Sequence, residues 1–185
     1  IASTSFTVGG GYGTANGGGD NNVLDVVFGT KPVPATFDLA AGQSYAFDFG
    51  TVQLRELCIN PDRACTGGLG QNETDDIGVT ANFQFTSPYT GLVQSLSITG
   101  AVTGNVSDAG LDYSIDFLPA IVDFGNGGKF KVDLSDLMFY NATTLTTRAT
   151  VTLMNAPEAD VPEPGSLALL GLGLAGVAAL RRRRA

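Results

Sequence analysis

Asn126-Gly127-Gly128-Lys129-Phe130-Lys131-Val132-Asp133-Leu134-Ser135 is the stretch on which the fold is decided. A glycine-rich turn signal runs straight into strict alternation. Phe130, Val132 and Leu134 are apolar, and Lys131, Asp133 and Ser135 between them are polar. Successive side chains of a strand point to opposite faces, so this pattern predicts a strand with one buried face and one wet face.

The same period recurs on both sides of it. Tyr45, Phe47 and Phe49 alternate with Ala46 and Asp48, and Phe83 and Phe85 flank Gln84. Leu96 and Ile98 alternate with Ser95, Ser97 and Thr99, which predicts the aliphatic pair on the buried side. Tyr113, Ile115 and Phe117 alternate with Ser114 and Asp116, and Ala149, Val151 and Leu153 with Thr150 and Thr152. Ser5 to Val8 and Val23 to Phe28 read as two further strands. Turn signals separate the runs at Ala41-Gly42, Thr66-Gly67-Gly68, Thr90-Gly91 and Asp108-Ala109-Gly110. The Gly9–Gly19 stretch reads as a flexible loop. No segment before residue 160 has helical periodicity. The expected fold is all-β: an antiparallel β-sandwich, jelly-roll-like or related, over residues 1–155.

Composition agrees. The chain has 185 residues, enough for one domain with appendages, and 43% are hydrophobic, so a packed core is expected. Of its 18 acidic residues only Glu163 lies beyond Asp160, and four of its ten basic residues sit at 181–184. Residues 1–160 therefore carry 17 acids against six bases, a net charge of −11. A body this acidic repels phosphate backbones, so nucleic acid is excluded as a partner.

The chain contains no His and two cysteines, Cys58 and Cys65. Cys-x₆-Cys is not a zinc spacing, and one local disulfide is expected instead. Its loop of about eight residues would restrict the unfolded chain by roughly 2–3 kcal/mol. Lack of His removes the common nucleophile–base pairs, which leaves carboxylate chemistry, and no Asp/Glu pair stands out. The expectation is a protein that is not an enzyme and uses no cofactor. Glu73, Asp75 and Asp76 beside Asn72 are candidate calcium ligands, as are Asp20, Asn21, Asn22 and Asp25, with solvated turns as the better reading of both. Tyr12, Tyr89 and Tyr140 near strand ends could form a sugar platform, a case weakened by the absence of Trp.

The end of the chain is of another kind. Residues 156–164, Ala-Pro-Glu-Ala-Asp-Val-Pro-Glu-Pro, form a stiff spacer. Residues 165–180 carry no charge, and a helix of that length extends about 24 Å, short of a hydrocarbon core but within reach of snorkelling arginines. Arg181, Arg182, Arg183 and Arg184 would stay cytoplasmic as a stop-transfer cluster at 181–185 and leave the body outside the inner membrane. A single C-terminal transmembrane helix is the expectation.

Val161-Pro162-Glu163-Pro164, the short Gly/Leu/Ala-rich apolar segment and the terminal Arg cluster together resemble the PEP-CTERM sorting signal of exopolysaccharide-producing bacteria. The resemblance covers about residues 161–185. It implies export by the general secretory route, recognition by an exosortase as a transient membrane partner, and release near Pro-Glu-Pro. Members of this kind accompany extracellular polysaccharide, biofilm or floc formation. Ile1-Ala2-Ser3-Thr4 has no positive start or apolar run, so the numbering is expected to begin at a mature N-terminus.

These readings converge on an exported cell-surface or matrix structural protein. It would be anchored in the inner membrane with its body periplasmic before processing, and would reach the surface or extracellular matrix afterwards. A carbohydrate-binding module is the first alternative, with extracellular polysaccharide as ligand. A filament subunit that self-assembles by strand-edge pairing is the second.

Overall fold

The computed structural model describes residues 1–13, 23–34, 36–59, 73–106 and 109–158. Among these the chain is strand and turn, with no helix. The strands are β1 (Ser3–Val8), β2 (Tyr12–Gly13), β3 (Leu24–Thr30), β4 (Ser44–Leu54), β5 (Cys58–Ile59), β6 (Val79–Phe85) and β7 (Gly91–Ala101). They continue with β8 (Gly104–Asn105), β9 (Tyr113–Phe117), β10 (Ala120–Asp123), β11 (Lys129–Leu134), β12 (Leu137–Phe139) and β13 (Thr144–Asn155). Sheet one has the order β1-β6-β7-β9-β12, sheet two the order β10-β11-β13-β4-β3-β2, and β5 pairs with β8. Every pairing is antiparallel except β2 with β3.

The two large sheets close on one core, and its centre is aromatic. Phe49 of β4 lies 4.9 Å from Phe6 of β1 and 4.8 Å from Phe83 of β6, ring centre to ring centre. Phe85 of β6 lies 5.0 Å from Phe130 of β11. These contacts bridge the sheets, which is where burial of large apolar area stabilises a sandwich most. The decisive stretch behaves as read. Phe130, Val132 and Leu134 are buried, and the turn before them has Gly125, Asn126 and Gly127 all at positive φ (59°, 42° and 76°). Two glycines and an Asn make that left-handed turn accessible, and the Phe124 amide donates to the Gly128 carbonyl across it.

In β4 the alternation changes phase. Phe47 and Phe49 point inward at odd positions, Val52 and Leu54 at even ones. A bulge absorbs the change: opposite Thr147 and Arg148 on β13 stand Gly50 and Asp48, with Phe49 between them. One extra residue on one strand lets both apolar sets face the same core.

The expectation for β7 is overturned. Leu96 and Ile98 are 61% and 62% exposed, whereas Ser95 is buried. Register is the reason. β6 must bury Val79, Ala81, Phe83 and Phe85, and its hairpin sets Phe83 opposite Val93, so the odd positions of β7 are the inward ones. A slip of one residue would bury Leu96 and Ile98 but expose Val93 and break that pairing. The inward serines are satisfied locally: Ser95 Oγ donates to the Leu118 carbonyl at 2.7 Å and Ser97 Oγ to the Val79 carbonyl at 2.8 Å.

The Gly-rich segment after β1 is also less loose than its composition suggests. Gly9 and Gly11 pack against the Asp75–Asp76 backbone with no room for a Cβ, and Gly10 lies against the Asp76 side chain. The remainder, residues 14–19, lies outside the described residues.

Candidate functional site

The end of β13 is where body and tail meet, and an apolar cleft opens beside it. β13 lies inside sheet two between β11 and β4, and its last residue, Asn155, pairs with Lys129. The chain does not leave the body there. Ala156 and Pro157 form one wall of the cleft, and the Glu158 amide donates to the Asn126 carbonyl at 2.8 Å. The folded body therefore extends to Glu158, and the first three residues of the expected spacer are docked.

The cleft has a volume of about 430 Å³. Its walls are mainly Phe37, Phe85, Phe124, Phe130 and Leu153, and the cis Ser87–Pro88 peptide lies along one side. Phe37 is held by stacking on Tyr45, ring centres 4.9 Å apart and planes within 7°. Among the described lining residues Asp38 is the only ionisable side chain. A lone carboxylate against aromatic walls can hold an apolar group.

The residues singled out from sequence fall into different places. Tyr12 is no platform: its hydroxyl donates to the Ile77 carbonyl and lies 2.6 Å from the Tyr113 hydroxyl, beneath the sandwich edge. Burial pushes both phenols above their ordinary range. Tyr89 packs on Phe130, whereas Tyr140 is 51% exposed at the end of β12. Sequence reading could not separate these three, because a tyrosine near a turn suits a rim and a core equally.

Asp76 of the calcium candidates has a structural job. It sits at φ 52°, and its Oδ2 accepts the Gly10 amide at 2.6 Å, which ties the first turn after β1 to the loop before β6. Glu73 and Asp75 stand in the same turn. Among the described residues no three acidic, His or Cys side chains converge on one point. Asp20, Asn21 and Asn22 lie outside the described residues.

Asp25 is different. It lies on β3 between Leu24 and Val26, is 2% exposed, and its Oδ1 has no hydrogen-bond partner among the described residues. Burial raises its pKa, and the positive charge of Arg55 opposes the shift. The folded state thus holds this proton more tightly than the unfolded chain does. Stability is lost as pH rises from the ordinary carboxyl range through the raised folded value. Asp25→Asn should accordingly raise the melting temperature at pH 8, with a gain that shrinks to nothing near pH 4. A lower melting temperature for the variant at pH 8 would show that the ionised carboxylate is bound and needed.

Cys58 opens β5 and is not a free thiol, and Cys65 lies outside the described residues. Pairing of the two stands as an expectation that thiol labelling of unreduced, denatured protein decides. Val161 to Pro164, the apolar segment 165–180 and Arg181 to Arg184 also lie outside the described residues. Among those described, no helix is long and apolar enough to cross a membrane.

Residues 160–184 match the family model of the PEP-CTERM protein-sorting motif. The match begins two residues after Glu158 and covers only residues outside the described ones. No curated protein and no solved structure matches this chain.

Proposed function

We propose that this chain, which carries the PEP-CTERM sorting motif at its C-terminus, is an exported surface or matrix protein that an exosortase frees from its anchor, with a body that binds or assembles and does not catalyse. The motif itself marks the chain for export and for membrane-anchored sorting before processing. The observation that carries the reading is the completeness of the sandwich before the motif begins. β13 is flanked on both sides, its end is paired, and residues 156–158 close the wall beside it. Among the described residues, the core and the side chains packed against it run from Ile1 to Leu153. A tail that can be cut off without opening the core is what a sorting address requires.

The non-catalytic part of the proposal rests on chemistry. The chain has no His, and the cleft holds one acidic side chain. Anchoring before processing is assigned to residues 165–180 as the membrane-spanning helix and to the four arginines as its cytoplasmic stop. The test compares two hosts that differ only in possession of an exosortase. With the enzyme, an antibody to the body should find a shortened form outside the membrane fraction. Without it, only the full-length chain should be found, and in the membrane. A full-length, membrane-bound chain in both hosts would overturn the reading.

A further inference from the structure

The outer faces of the two sheets are chemically unlike each other. On sheet two the charges are paired: Lys31 with Asp48 at 3.0 Å, Lys129 with Asp123 at 3.2 Å, Lys131 with Asp133 at 2.9 Å, and Arg148 Nε with Asp48 at 3.9 Å. On sheet one, Asp116 is the only charged side chain in any strand. Its centre is an aliphatic stripe along β7, the longest strand of that sheet. Leu92, Leu96 and Ile98 are 52%, 61% and 62% exposed. Leu118, whose amide donates to the Leu96 carbonyl, and Met138 of β12 are exposed beside it.

The polar half of the same face is already satisfied from within. Asn82 is 6% exposed; its Nδ2 donates to Thr7 Oγ1 at 2.8 Å, and its Oδ1 accepts Gln94 Nε2 at 2.9 Å. Polar groups bonded to one another lose little when water is removed, whereas unpaired ones would oppose burial. A stripe of exposed aliphatics next to a closed polar ladder is therefore a surface ready to be covered.

We infer that sheet one is a self-association surface, covered by the same face of a second copy of this chain. Charge selects the occupant. Residues 1–160 carry a net charge of −11, so two bodies repel each other over most of their surface. The outer face of sheet one carries one charge per copy in its strands, Asp116 beside Ile98, so two copies meet there with few like charges opposed, and a two-fold apposition sets stripe on stripe. Its strands cover roughly 500 Å² in projection at ~3.3 Å per residue and ~4.8 Å between strands. Two such faces bury about 1,000 Å², at the lower limit for a specific contact. The pairing is therefore weak and favoured where the chain is concentrated, as in the plane of a membrane or in a matrix. A sugar chain fits this surface less well, because no aromatic side chain points outward from its strands.

The test uses the full-length chain in isolated membranes, with single cysteines and a short bismaleimide. Ile98→Cys should form a covalent homodimer, and Thr150→Cys, on the outer face of sheet two, should not. Adding Leu96→Lys to Ile98→Cys should lower the crosslinked fraction about tenfold, by placing a charge on each side of the contact. Leu96→Thr, a good strand former that leaves the fold undisturbed, should lower it in the same direction. Equal crosslinking from Ile98→Cys and Thr150→Cys would assign the association to the tail and overturn the inference. So would an Ile98→Cys chain that stays monomeric. Loss of binding to purified exopolysaccharide by a Leu96→Lys chain that is monomeric before and after the change would overturn it in favour of a glycan.

Discussion

Cutting the chain after Glu158 should move the protein wholly out of the membrane fraction and leave the melting temperature of the body where it was. The two halves of this result have separate causes. Residues 165–180 form an uncharged apolar run long enough to prefer lipid, and among the described residues of the body no helix is long and apolar enough to cross a membrane. The body in turn owes its stability to a core that closes at residues 153–158, where Leu153 and Pro157 face the cleft and the Glu158 amide is bonded to Asn126. Cutting earlier, after Asn155, removes that wall and one backbone hydrogen bond between exposed residues. A loss of about 1–2 kcal/mol is expected for that shorter chain. Thermal melts of the two truncated chains against the full-length protein in mild detergent check both statements. An unfolded 1–158 chain would place the apolar tail inside the domain and defeat the proposed function. In an exosortase-containing host, Glu163→Ala should keep the protein in the membrane, since it alters the motif and leaves every described residue of the body unchanged.

Phe49→Ala should be the most damaging single change in the sandwich. The ring is fully buried, is in edge or tilted contact with Phe6 and Phe83, and sits at the bulge where the two phases of β4 meet. Truncation leaves a void between two sheets that other elements hold apart, so little collapse is available. The expected cost is about 3–5 kcal/mol. At about 2–4 °C per kcal/mol for a domain of this size, the midpoint falls by roughly 10–15 °C. Ile98→Thr makes the comparison sharp. It makes an aliphatic side chain on a strand of the same sandwich smaller and polar, and should change stability by less than about 0.5 kcal/mol because the side chain is outside. Similar losses from both substitutions would mean that β7 is in the opposite register.

Ser95 shows where sequence reading stops. Within Leu92-Val93-Gln94-Ser95-Leu96-Ser97-Ile98, the even positions carry more apolar residues than the odd ones, and local pattern alone assigns them inward. The opposite result is decided by Val93 lying across from Phe83, a partner ten residues away, and by Thr99 across from Ile115 on β9. The phenylalanines of the alternating runs, with Tyr113, have no such ambiguity. Phe83, Phe85, Phe117, Phe130 and Tyr113 are inward as their own alternation requires, because burying a large ring outweighs any local alternative.

By itself the sequence determined the class of the fold and the sorting motif. Period-two alternation, chain-end charge and apolar length act over a few neighbouring residues, and each can be read without knowing what packs against it. Tertiary structure alone decided which face of β7 is wet, that Asp76 is a tie and Tyr12 a core residue, that residues 156–158 belong to the body, and that Asp25 carries a buried oxygen without a described partner. Each of those depends on strands that meet only after the chain has folded. A side chain's exposure is set by the sheet across from it, and a polar group's role by whichever backbone atom arrives within hydrogen-bond distance.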